Sequence, residues 1–321
     1  MKVLVTANLK DYNKEKLNNA FSNVEFVYCH PNELTQDMVD DCDVIVGTPT
    51  HVNLNRESLK AVLLNSAGSD LYVKEGVLHE NTLLANASGS YGVAIAEHTI
   101  GMILALNKGF SFFFDNMKSG LWKKNMNDKE LYNSQVLIVG LGDLGYEIAK
   151  RLKAFQCHII GVKRRVSSLP EYVDELFTID SLDELLAHAD YVILCLPHSN
   201  ETYHMFNKDR LMKMKKDAMI VNVGRGSAID TNDLIDVLNQ GHLYGAALDV
   251  VEEEPLDSHN PLWKIDNVFI SPHASGGFKW RSVRDYFVDL TIRNIEHLLN
   301  NERLENEVDF LTGYRKVVKY K

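Results

Sequence analysis

Short apolar runs alternate with helical patterns from the start of the chain. Five runs have the length and composition of buried strands, at 3–5, 24–28, 43–47, 61–64 and 82–86. A helical pattern lies between the first two, at 14–21. Strands that alternate with helices form parallel, doubly wound sheets, whose ligand-binding loops follow the strands. This part of the chain therefore predicts a doubly wound α/β domain.

A second series of strands follows. Six more apolar runs lie at 136–139 and 157–162 and within 191–197, 218–226, 245–250 and 268–273. They predict a six-stranded Rossmann sheet. An amphipathic helical pattern at 286–306 is predicted to return to the first domain. We therefore expect two doubly wound parallel-sheet domains: a dinucleotide-binding Rossmann domain at 99–285, inserted in a flavodoxin-like substrate domain formed by 1–98 and 286–321.

The segment between the two series is unusually apolar. Residues 92–108 have a helical pattern that is apolar nearly all round, which favours burial between domains or at a subunit interface. Phe110 and Phe112–Phe114 follow, and Trp122 is predicted to close the segment. We interpret the aromatic cluster as core or as a dimer contact rather than as a ligand site. A homodimer is the expected assembly.

The strand at 136–139 ends in Gly-Leu-Gly-Asp-Leu-Gly. The glycines of this Gly-x-Gly-x-x-Gly motif are Gly140, Gly142 and Gly145, and a helical pattern and a second strand follow them. In this context the first glycine permits a sharp turn, the second lets a pyrophosphate approach the backbone, and the third lets the helix pack on the strand. We predict a dinucleotide site here that also includes Asp143 and Leu144. The alternative is a glycine-rich turn that binds no ligand.

The end of the second strand indicates which dinucleotide is used. An NAD site usually places Asp or Glu there to bind the ribose 2′-OH. This chain has Lys163, Arg164 and Arg165 instead. Cations cannot accept a hydrogen bond from a 2′-OH, but they can bind a 2′-phosphate. We predict that NADP(H) is preferred and that NAD(H) is possible; a solvated basic turn is the alternative.

Composition and charge exclude several classes of protein. The 321 residues carry a formal net charge of −10, which disfavours nucleic acid and anionic membranes as partners. The four cysteines form no pair or cluster with histidine that suggests a metal site, so we predict none. No apolar stretch approaches the roughly 20 residues of a membrane-spanning helix. The start of the chain resembles a strand rather than a signal peptide. We expect a soluble, cytoplasmic protein.

Three chemically competent residues follow strands of the second series. Arg225 lies in Val-Gly-Arg-Gly, Glu254 in Glu-Glu-Glu-Pro and His273 in Ser-Pro-His. All three should lie at the sheet edge that receives the nicotinamide. Arg can bind a carboxylate bidentately, and a His with a carboxylate partner can donate a proton. The set suggests hydride transfer to a 2-keto acid. Taken singly, each also fits a solvated turn, a solvated acidic face or a structural histidine.

Ordered motifs along nearly the whole chain resemble the D-isomer-specific 2-hydroxyacid dehydrogenase family. They are Ala96-Glu97-His98-Thr99, the glycine motif, Leu196-Pro197 with Glu201-Thr202, Val223-Gly224-Arg225-Gly226, Ala247-Leu248-Asp249-Val250 through Glu254-Pro255-Leu256, and Ser271-Pro272-His273. The resemblance implies that Arg225 binds the substrate carboxylate and carbonyl oxygen. It implies that His273 is the general acid and base and that Glu254 pairs with it.

The resemblance also implies a wider set of binding residues. Asp249 would contact the nicotinamide amide. The substrate would be bound by Ala67, Gly68 and Ser69 together with Arg225 and His273. The other residues assigned to the dinucleotide are Leu196, Pro197, Thr202, Val223, Gly224, Ser275 and Gly276.

The function that these features imply is reduction of a small 2-keto acid to a D-2-hydroxy acid with NADPH, as in glyoxylate/hydroxypyruvate reductases. Two alternatives stay open. One is an NAD-dependent enzyme for a D-lactate-like or branched-chain acid. The other is a non-catalytic dinucleotide-sensing regulator on the same fold, like the C-terminal-binding corepressors. Fold alone cannot choose among them.

Overall fold

The chain forms two compact units in a computed structural model, which describes residues 1–165, 168–311, 313, 315 and 316. The first unit comprises Met1–Tyr91 and Gly277–Lys321, and the second comprises Gly92–Gly276. The sequence places these divisions later, after residues 98 and 285. Assignment of substrate and dinucleotide to the two units stays a prediction. The remaining residues of the predicted domains, 166, 167, 312, 314 and 317–321, lie outside the described residues.

Both units alternate strands with helices. The strands are β1 (Lys2–Val5), β2 (Glu25–Tyr28), β3 (Val44–Val46), β4 (Ala61–Leu63), β5 (Leu83–Ala85), β6 (Gln135–Val139), β7 (His158–Lys163), β8 (Glu175–Thr178), β9 (Tyr191–Leu194), β10 (Met219–Asn222), β11 (Gly245–Leu248) and β12 (Val268–Ile270). The α-helices are α1 (Asp11–Ala20), α2 (Gln36–Asp40), α3 (Gly92–Asn107), α4 (Phe110–Lys118), α5 (Asp143–Leu152), α6 (Leu182–Leu186), α7 (Lys208–Lys213), α8 (Thr231–Asn239) and α9 (Arg281–Leu299).

The first unit contains a five-stranded parallel sheet in the order β2-β1-β3-β4-β5. This is the flavodoxin-like order, so the predicted fold is confirmed. Successive side chains of β1 enter opposite cores: Val3 and Val5 pack with residues of α1 and α9, and Leu4 packs on the other face. The predicted C-terminal helix exists as α9, but it begins and ends earlier than predicted. Beyond it, Glu307 pairs with Ala85 at the edge of the sheet.

The second unit contains a seven-stranded parallel sheet in the order β12-β11-β10-β9-β6-β7-β8. From β6 the sheet grows in one direction through β7 and β8, and from β9 it grows in the other direction through β10, β11 and β12. This reversal of strand order between β6 and β9 is the Rossmann arrangement, and ligands bind such sheets at that point. The six predicted strands are confirmed, but the prediction of a six-stranded sheet is wrong. The additional strand, β8, pairs only with β7, and its side chains are exposed or half-buried. It therefore lacks the apolar run by which the other strands were identified.

The apolar segment after residue 91 forms two helices. Half of the residues of α3 are buried inside the second unit, where the helix packs on α5. The phenylalanines of α4 do not form the predicted core, because Phe110, Phe112 and Phe114 are exposed. Trp122 is 100% exposed and does not close the segment. The dimer interpretation of this cluster stays a prediction. None of the helices in the described ranges combines the length and apolar character needed to cross a bilayer.

Candidate active site

The glycine motif forms a tight turn between β6 and α5. Gly140 has a φ of +97°, in the left-handed region that favours glycine. A Cβ atom at Gly140 would lie 2.7 Å from the carbonyl oxygen of Cys195, which follows β9. A Cβ atom at Gly145 would lie 2.7 Å from the carbonyl oxygen of Gly140. The two glycines therefore permit close backbone packing at the point where the sheet reverses.

Gly142 differs from these two glycines because the space beside it is open. A Cβ atom there would meet nothing within 4 Å. Gly142 is also the N-cap of α5, and no side chain of the described residues caps this helix. The first turn of a helix offers unpaired N–H groups and the positive end of the helix dipole. Open space beside a helix N-terminus fits a pyrophosphate. The predicted neighbours Asp143 and Leu144 form the first residues of α5.

The three predicted phosphate-binding cations lie at the end of β7. Lys163 is the last residue of the strand, and Arg164 and Arg165 are exposed residues that follow it. Nη1 of Arg164 lies 3.7 Å from Oε2 of Glu201, in the loop after β9, and the Arg164 side chain is 77% exposed. Carboxyl ends of neighbouring parallel strands meet at one edge, so the basic turn shares the edge of the glycine turn.

The loop after β9 is organised by Thr202. Its Oγ1 donates a hydrogen bond to the carbonyl oxygen of Pro197 at 2.7 Å and accepts one from the N–H of Ser199 at 2.9 Å. Leu196, at the start of this loop, is buried. The described contacts of Thr202 are internal to the loop, so its role toward a dinucleotide stays a prediction.

Arg225 is positioned by a turn that Asn222 holds. The side-chain amide of Asn222 donates to the carbonyl oxygen of Arg225 at 3.0 Å and accepts from the N–H of Gly224 at 3.1 Å. A Cβ atom at Gly224 would lie 2.5 Å from the carbonyl oxygen of Leu196, so this turn packs directly on the loop after β9. Val223, inside the turn, is buried. These contacts place Arg225 at the same sheet edge as the glycine turn.

Asp249 has a buried carboxylate that organises the segment after β12. Its Oδ1 accepts hydrogen bonds from Oγ of Ser271 at 2.6 Å and from the N–H groups of Ala274 and Ser275 at 3.0 and 3.1 Å. Its Oδ2 accepts one from Oγ of Ser275. Nε2 of His98, on α3, lies 2.8 Å from Oγ of Ser271. The predicted dinucleotide ligands Asp249 and Ser275 are thus partners of each other, and Gly276 follows them.

The structure brings two of the three predicted catalytic residues into contact. Nδ1 of His273 lies 2.8 Å from Oε2 of Glu254, and both side chains are solvent-accessible. The N–H of His273 donates to the carbonyl oxygen of Asp249 at 2.8 Å, and its φ is +48°. The Arg225 side chain donates to the carbonyl oxygen of Gly224 at 3.0 Å. In the described part of the chain it forms no hydrogen bond or ion pair with Glu254 or His273.

The predicted substrate loop lies in the first unit, after β4. The side chain of Asn86 donates to the carbonyl oxygen of Ala67 at 2.9 Å, and Oγ of Ser69 donates to the carbonyl oxygen of Gly313 at 2.6 Å. The side chain of Ser69 is therefore committed within its own unit. Among the residues that the structure describes, none accepts a hydrogen bond from the N–H groups of Ala67, Gly68 and Ser69. Ala67 is exposed and Gly68 is half-buried, whereas Ser69 is buried.

Comparison with known proteins identifies the family. The profile for the NAD binding domain of D-isomer specific 2-hydroxyacid dehydrogenases matches residues 100–275. The chain belongs to this dehydrogenase family. A glyoxylate reductase of Thermofilum pendens is 34% identical over 252 residues, which cover 76% of this chain and 73% of that protein. The solved structure of a family member from Aeromonas salmonicida superposes with a TM-score of 0.82 at 26% identity, covering 96% of this chain and 99% of that one.

A second solved structure contains a dinucleotide. It is an NADPH-dependent glyoxylate/hydroxypyruvate reductase of Sinorhizobium meliloti in complex with NADP and sulfate, with a TM-score of 0.78 at 25% identity. The match covers 98% of this chain and 99% of that one. This dehydrogenase is accordingly an oxidoreductase that acts on CH–OH groups and uses a nicotinamide dinucleotide.

Several residues that shape the site of this dehydrogenase had no predicted role. Asn222 and His98 support the turns that carry Arg225 and His273, and Asn86 supports the predicted substrate loop. The position of Asn222 at a strand end, two residues before Gly224, is a sequence signal for a side chain that organises a turn. No local pattern links His98 to Ser271, because 173 positions separate them.

Gly142→Ala tests the dinucleotide site of the dehydrogenase. Gly142 has a φ of −96°, which alanine adopts readily, and its Cβ would meet no protein atom, so the variant should fold normally. The methyl group should obstruct the pyrophosphate and raise the Kd for NADPH and NADH by about tenfold or more, or about 1.4 kcal/mol. Isothermal titration calorimetry measures the Kd, and thermal unfolding checks the fold.

Gly101→Ala is the matched control. Gly101 is an exposed residue of α3, and a Cβ there also meets nothing within 4 Å. It should bind both nucleotides like the wild type. Unchanged affinity in Gly142→Ala would show that the pyrophosphate does not approach this turn.

Proposed function

We propose that the chain reduces a small 2-keto acid of the glyoxylate or hydroxypyruvate type to a D-2-hydroxy acid, with NADPH as the preferred reductant. The contact between His273 and Glu254, at 2.8 Å, carries this proposal, because it pairs a proton donor with a carboxylate at the dinucleotide edge of the sheet. The names of the relatives from Thermofilum pendens and Sinorhizobium meliloti support the substrate class.

The three predicted catalytic residues of the second unit have distinct roles in this reaction. Arg225 binds the carboxylate and the carbonyl oxygen of the keto acid, since its planar guanidinium can form two parallel hydrogen bonds. Glu254 accepts a hydrogen bond from Nδ1 of His273, which fixes the ring and leaves Nε2 to donate a proton to the substrate oxygen. The bound dinucleotide would supply the hydride to C2. In the reverse direction His273 accepts the proton from the hydroxyl group.

The substrate loop of the first unit is proposed to bind the carboxylate of the keto acid through its backbone. The N–H groups of Ala67 and Gly68 support this role, because they have no acceptor among the described residues, belong to exposed and half-buried residues, and consecutive N–H groups form anion-binding concavities. The hydrogen bonds from Asn86 to Ala67 and from Ser69 to Gly313 hold the loop in its conformation. The loop therefore needs little reorganisation to bind an anion.

Steady-state oxidation of NADPH with glyoxylate, hydroxypyruvate, pyruvate and a branched-chain 2-keto acid tests the function. We expect the fastest turnover with glyoxylate or hydroxypyruvate. His273→Ala should reduce kcat by about 10²–10⁴, the usual share of a general acid. His188→Ala, which changes an exposed histidine near the opposite edge of the sheet, should retain wild-type kcat.

Near-normal turnover of His273→Ala would contradict the assigned role. Turnover limited to the branched-chain acid would favour the larger-substrate enzyme. Tight NADPH binding with no turnover of any acid would favour a dinucleotide-sensing regulator.

The preference for NADPH is proposed from the basic turn after β7. Lys163, Arg164 and Arg165 offer positive charge where an acidic ribose ligand would discriminate against a 2′-phosphate. The ion pair between Arg164 and Glu201 is long, at 3.7 Å, and highly exposed, so it competes weakly for the guanidinium. The NADP in the Sinorhizobium meliloti reductase is consistent with this preference.

Arg164→Ala tests this preference. Loss of one charge-assisted contact with the 2′-phosphate should raise KM for NADPH about tenfold and leave KM for NADH within about twofold. Lys216→Ala removes one exposed positive charge before β10, at the opposite edge of the same sheet, and should change neither value. Equal KM changes for both nucleotides in Arg164→Ala, or wild-type use of NADH in preference to NADPH, would refute the proposal.

We also propose that the chain forms a homodimer through an exposed apolar face of α4 and the segment after it. The face consists of Phe110, Phe114, Met117, Trp122 and Met126, all of which are exposed. Clustered large apolar side chains on a surface mark interaction sites. Because α3 packs on α5 within its own unit, α4 replaces it as the candidate interface.

The double variant Phe114→Glu/Met117→Glu should shift the assembly from two copies to one, because it places carboxylates in the proposed interface. Sedimentation equilibrium measures the mass. Leu169→Glu is the control, because it changes an exposed apolar residue elsewhere in the second unit, and it should leave the dimer intact. A monomeric wild type, or a double variant that remains dimeric, would rule out this interface.

A further inference from the structure

His204 lies in the loop between β9 and α7, outside the predicted site, and its ring is fixed in place. Its φ is +47°, and its N–H donates to the carbonyl oxygen of Ser227 at 2.8 Å. The ring of Tyr203 stacks on the imidazole, with centroids 4.0 Å apart and an angle of 15° between the planes. The backbone and one face of the ring are therefore both held.

Two carboxylates contact the two nitrogens of this ring. Nε2 of His204 lies 2.5 Å from Oε1 of Glu252, and Nδ1 lies 3.2 Å from Oδ2 of Asp230. All three side chains are about one quarter exposed. A protonated imidazole can donate to both carboxylates at once, whereas a neutral ring can donate to one. His204 thus links residues from two separate segments.

Asp230 is the rigid member of this link. Its Oδ1 accepts hydrogen bonds from the N–H groups of Asn232 and Asp233, at 3.0 and 3.1 Å, and so caps the N-terminus of α8. A side chain that caps a helix while contacting a second group has little freedom to move. Asp230 therefore anchors His204 to the N-terminus of α8. This helix follows the turn that carries Arg225.

Glu252 belongs to the segment that carries Glu254. Oε1 of Glu254 accepts a hydrogen bond from the N–H of Val251 at 3.3 Å, and its Oε2 contacts His273. A Cβ atom at Gly226 would lie 1.8 Å from the carbonyl oxygen of Val251, so the turn after Arg225 packs directly on this segment. A shift of residues 251 and 252 would therefore displace the carboxylate of Glu254.

We infer that His204 is a positioning residue, which holds the Glu254 segment against the Arg225 turn through Glu252 and Asp230. In the proposed reaction, on which the catalytic part of this inference rests, it keeps Glu254 in register with His273. The side chain of His204 acts through Glu252 and does not need to touch the substrate or the dinucleotide.

The same unit contains a matched control. His158 also contacts two carboxylates, with Nε2 2.7 Å from Glu175 and Nδ1 3.8 Å from Asp174. It is the first residue of β7, so it lies at the amino edge of the sheet, opposite the site. Removal of this histidine breaks a similar exposed ion pair without affecting the Glu254 segment.

Hydrogen exchange of the full-length protein tests the link without reference to activity. His204→Asn suits a positive φ but is too short to reach Glu252. It should accelerate exchange of the amides of residues 250–256 by about tenfold, the usual effect of losing a hydrogen bond to a charged group. His158→Asn should leave this segment unchanged. Glu252→Ala removes the same contact while retaining His204, and it also removes the hydrogen bond from the N–H of Thr231 to Oε2 of Glu252 at 3.4 Å. It should therefore give at least the same acceleration if His204→Asn fails to fold. Unchanged exchange in the folded variants would overturn the inference.

Kinetics then tests the positioning role. With the best 2-keto acid, His204→Asn should reduce kcat about tenfold and leave the Kd for NADPH unchanged. In a Glu254→Gln background, where the positioned group is already lost, His204→Asn should reduce kcat by less than about twofold. An equal reduction in both backgrounds would show a general structural effect and overturn the positioning role. If the wild type reduces no keto acid, the proposed function fails, whereas the exchange result still decides whether His204 holds the segment.

Discussion

The buried carboxylate of Asp249 is the contact on which the candidate site depends most. It is 2% exposed, and a buried charge is tolerated only when hydrogen bonds compensate for its lost hydration. Here the compensating donors are Ser271, Ala274 and Ser275, which lie on both sides of His273. The requirement to satisfy one carboxylate therefore fixes the segment that carries the proton donor. It also stabilises the left-handed backbone of His273, which costs about 1–3 kcal/mol in a residue other than glycine.

Close backbone packing also fixes the neighbouring loops along this edge of the sheet. Gly140, Gly224 and Gly226 each approach a neighbouring loop too closely for a side chain. These contacts join main chain to main chain, which is less flexible than a contact through long side chains. The turn after β6, the loop after β9, the turn after β10 and the segment after β11 therefore form one continuous chain of backbone contacts. Catalytic groups on these loops can keep a precise geometry although loops are usually mobile.

The sequence predicted the strands best where both sheet faces are buried. Buried parallel strands have near-continuous apolar runs, as in β6 and β9. The edge strand β8 was missed because Glu175–Thr178 contains no more than two consecutive apolar residues, whereas the equally exposed edge strands β2 and β12 each contain three. The apolar pattern of α4 left core and dimer contact open, and the exposure of Phe110, Phe112 and Phe114 excludes the core for these three. Such a pattern shows that a side chain favours contact with other apolar groups, but it does not show whether those groups belong to the same chain. The sequence around Phe114 is therefore compatible both with a buried core and with an exposed interface.

The residues of the candidate site also divide into those that the sequence predicts and those that it does not. Arg225, Glu254 and His273 could be predicted because each follows an apolar strand, and parallel strands end at a common edge. Asn222, which holds the Arg225 turn, has a local signal in its place at a strand end, whereas the other residues that position the site act across long sequence separations. His98 reaches Ser271 over 173 positions, and His204 reaches Glu252 over 48. His98 lies in the Ala96-Glu97-His98-Thr99 motif, but that motif does not indicate its partner, and His204 has no sequence neighbour that would distinguish it from an ordinary polar residue. Their partners are determined by strand order and loop packing, so residues that set the precision of a site become visible only in the folded chain.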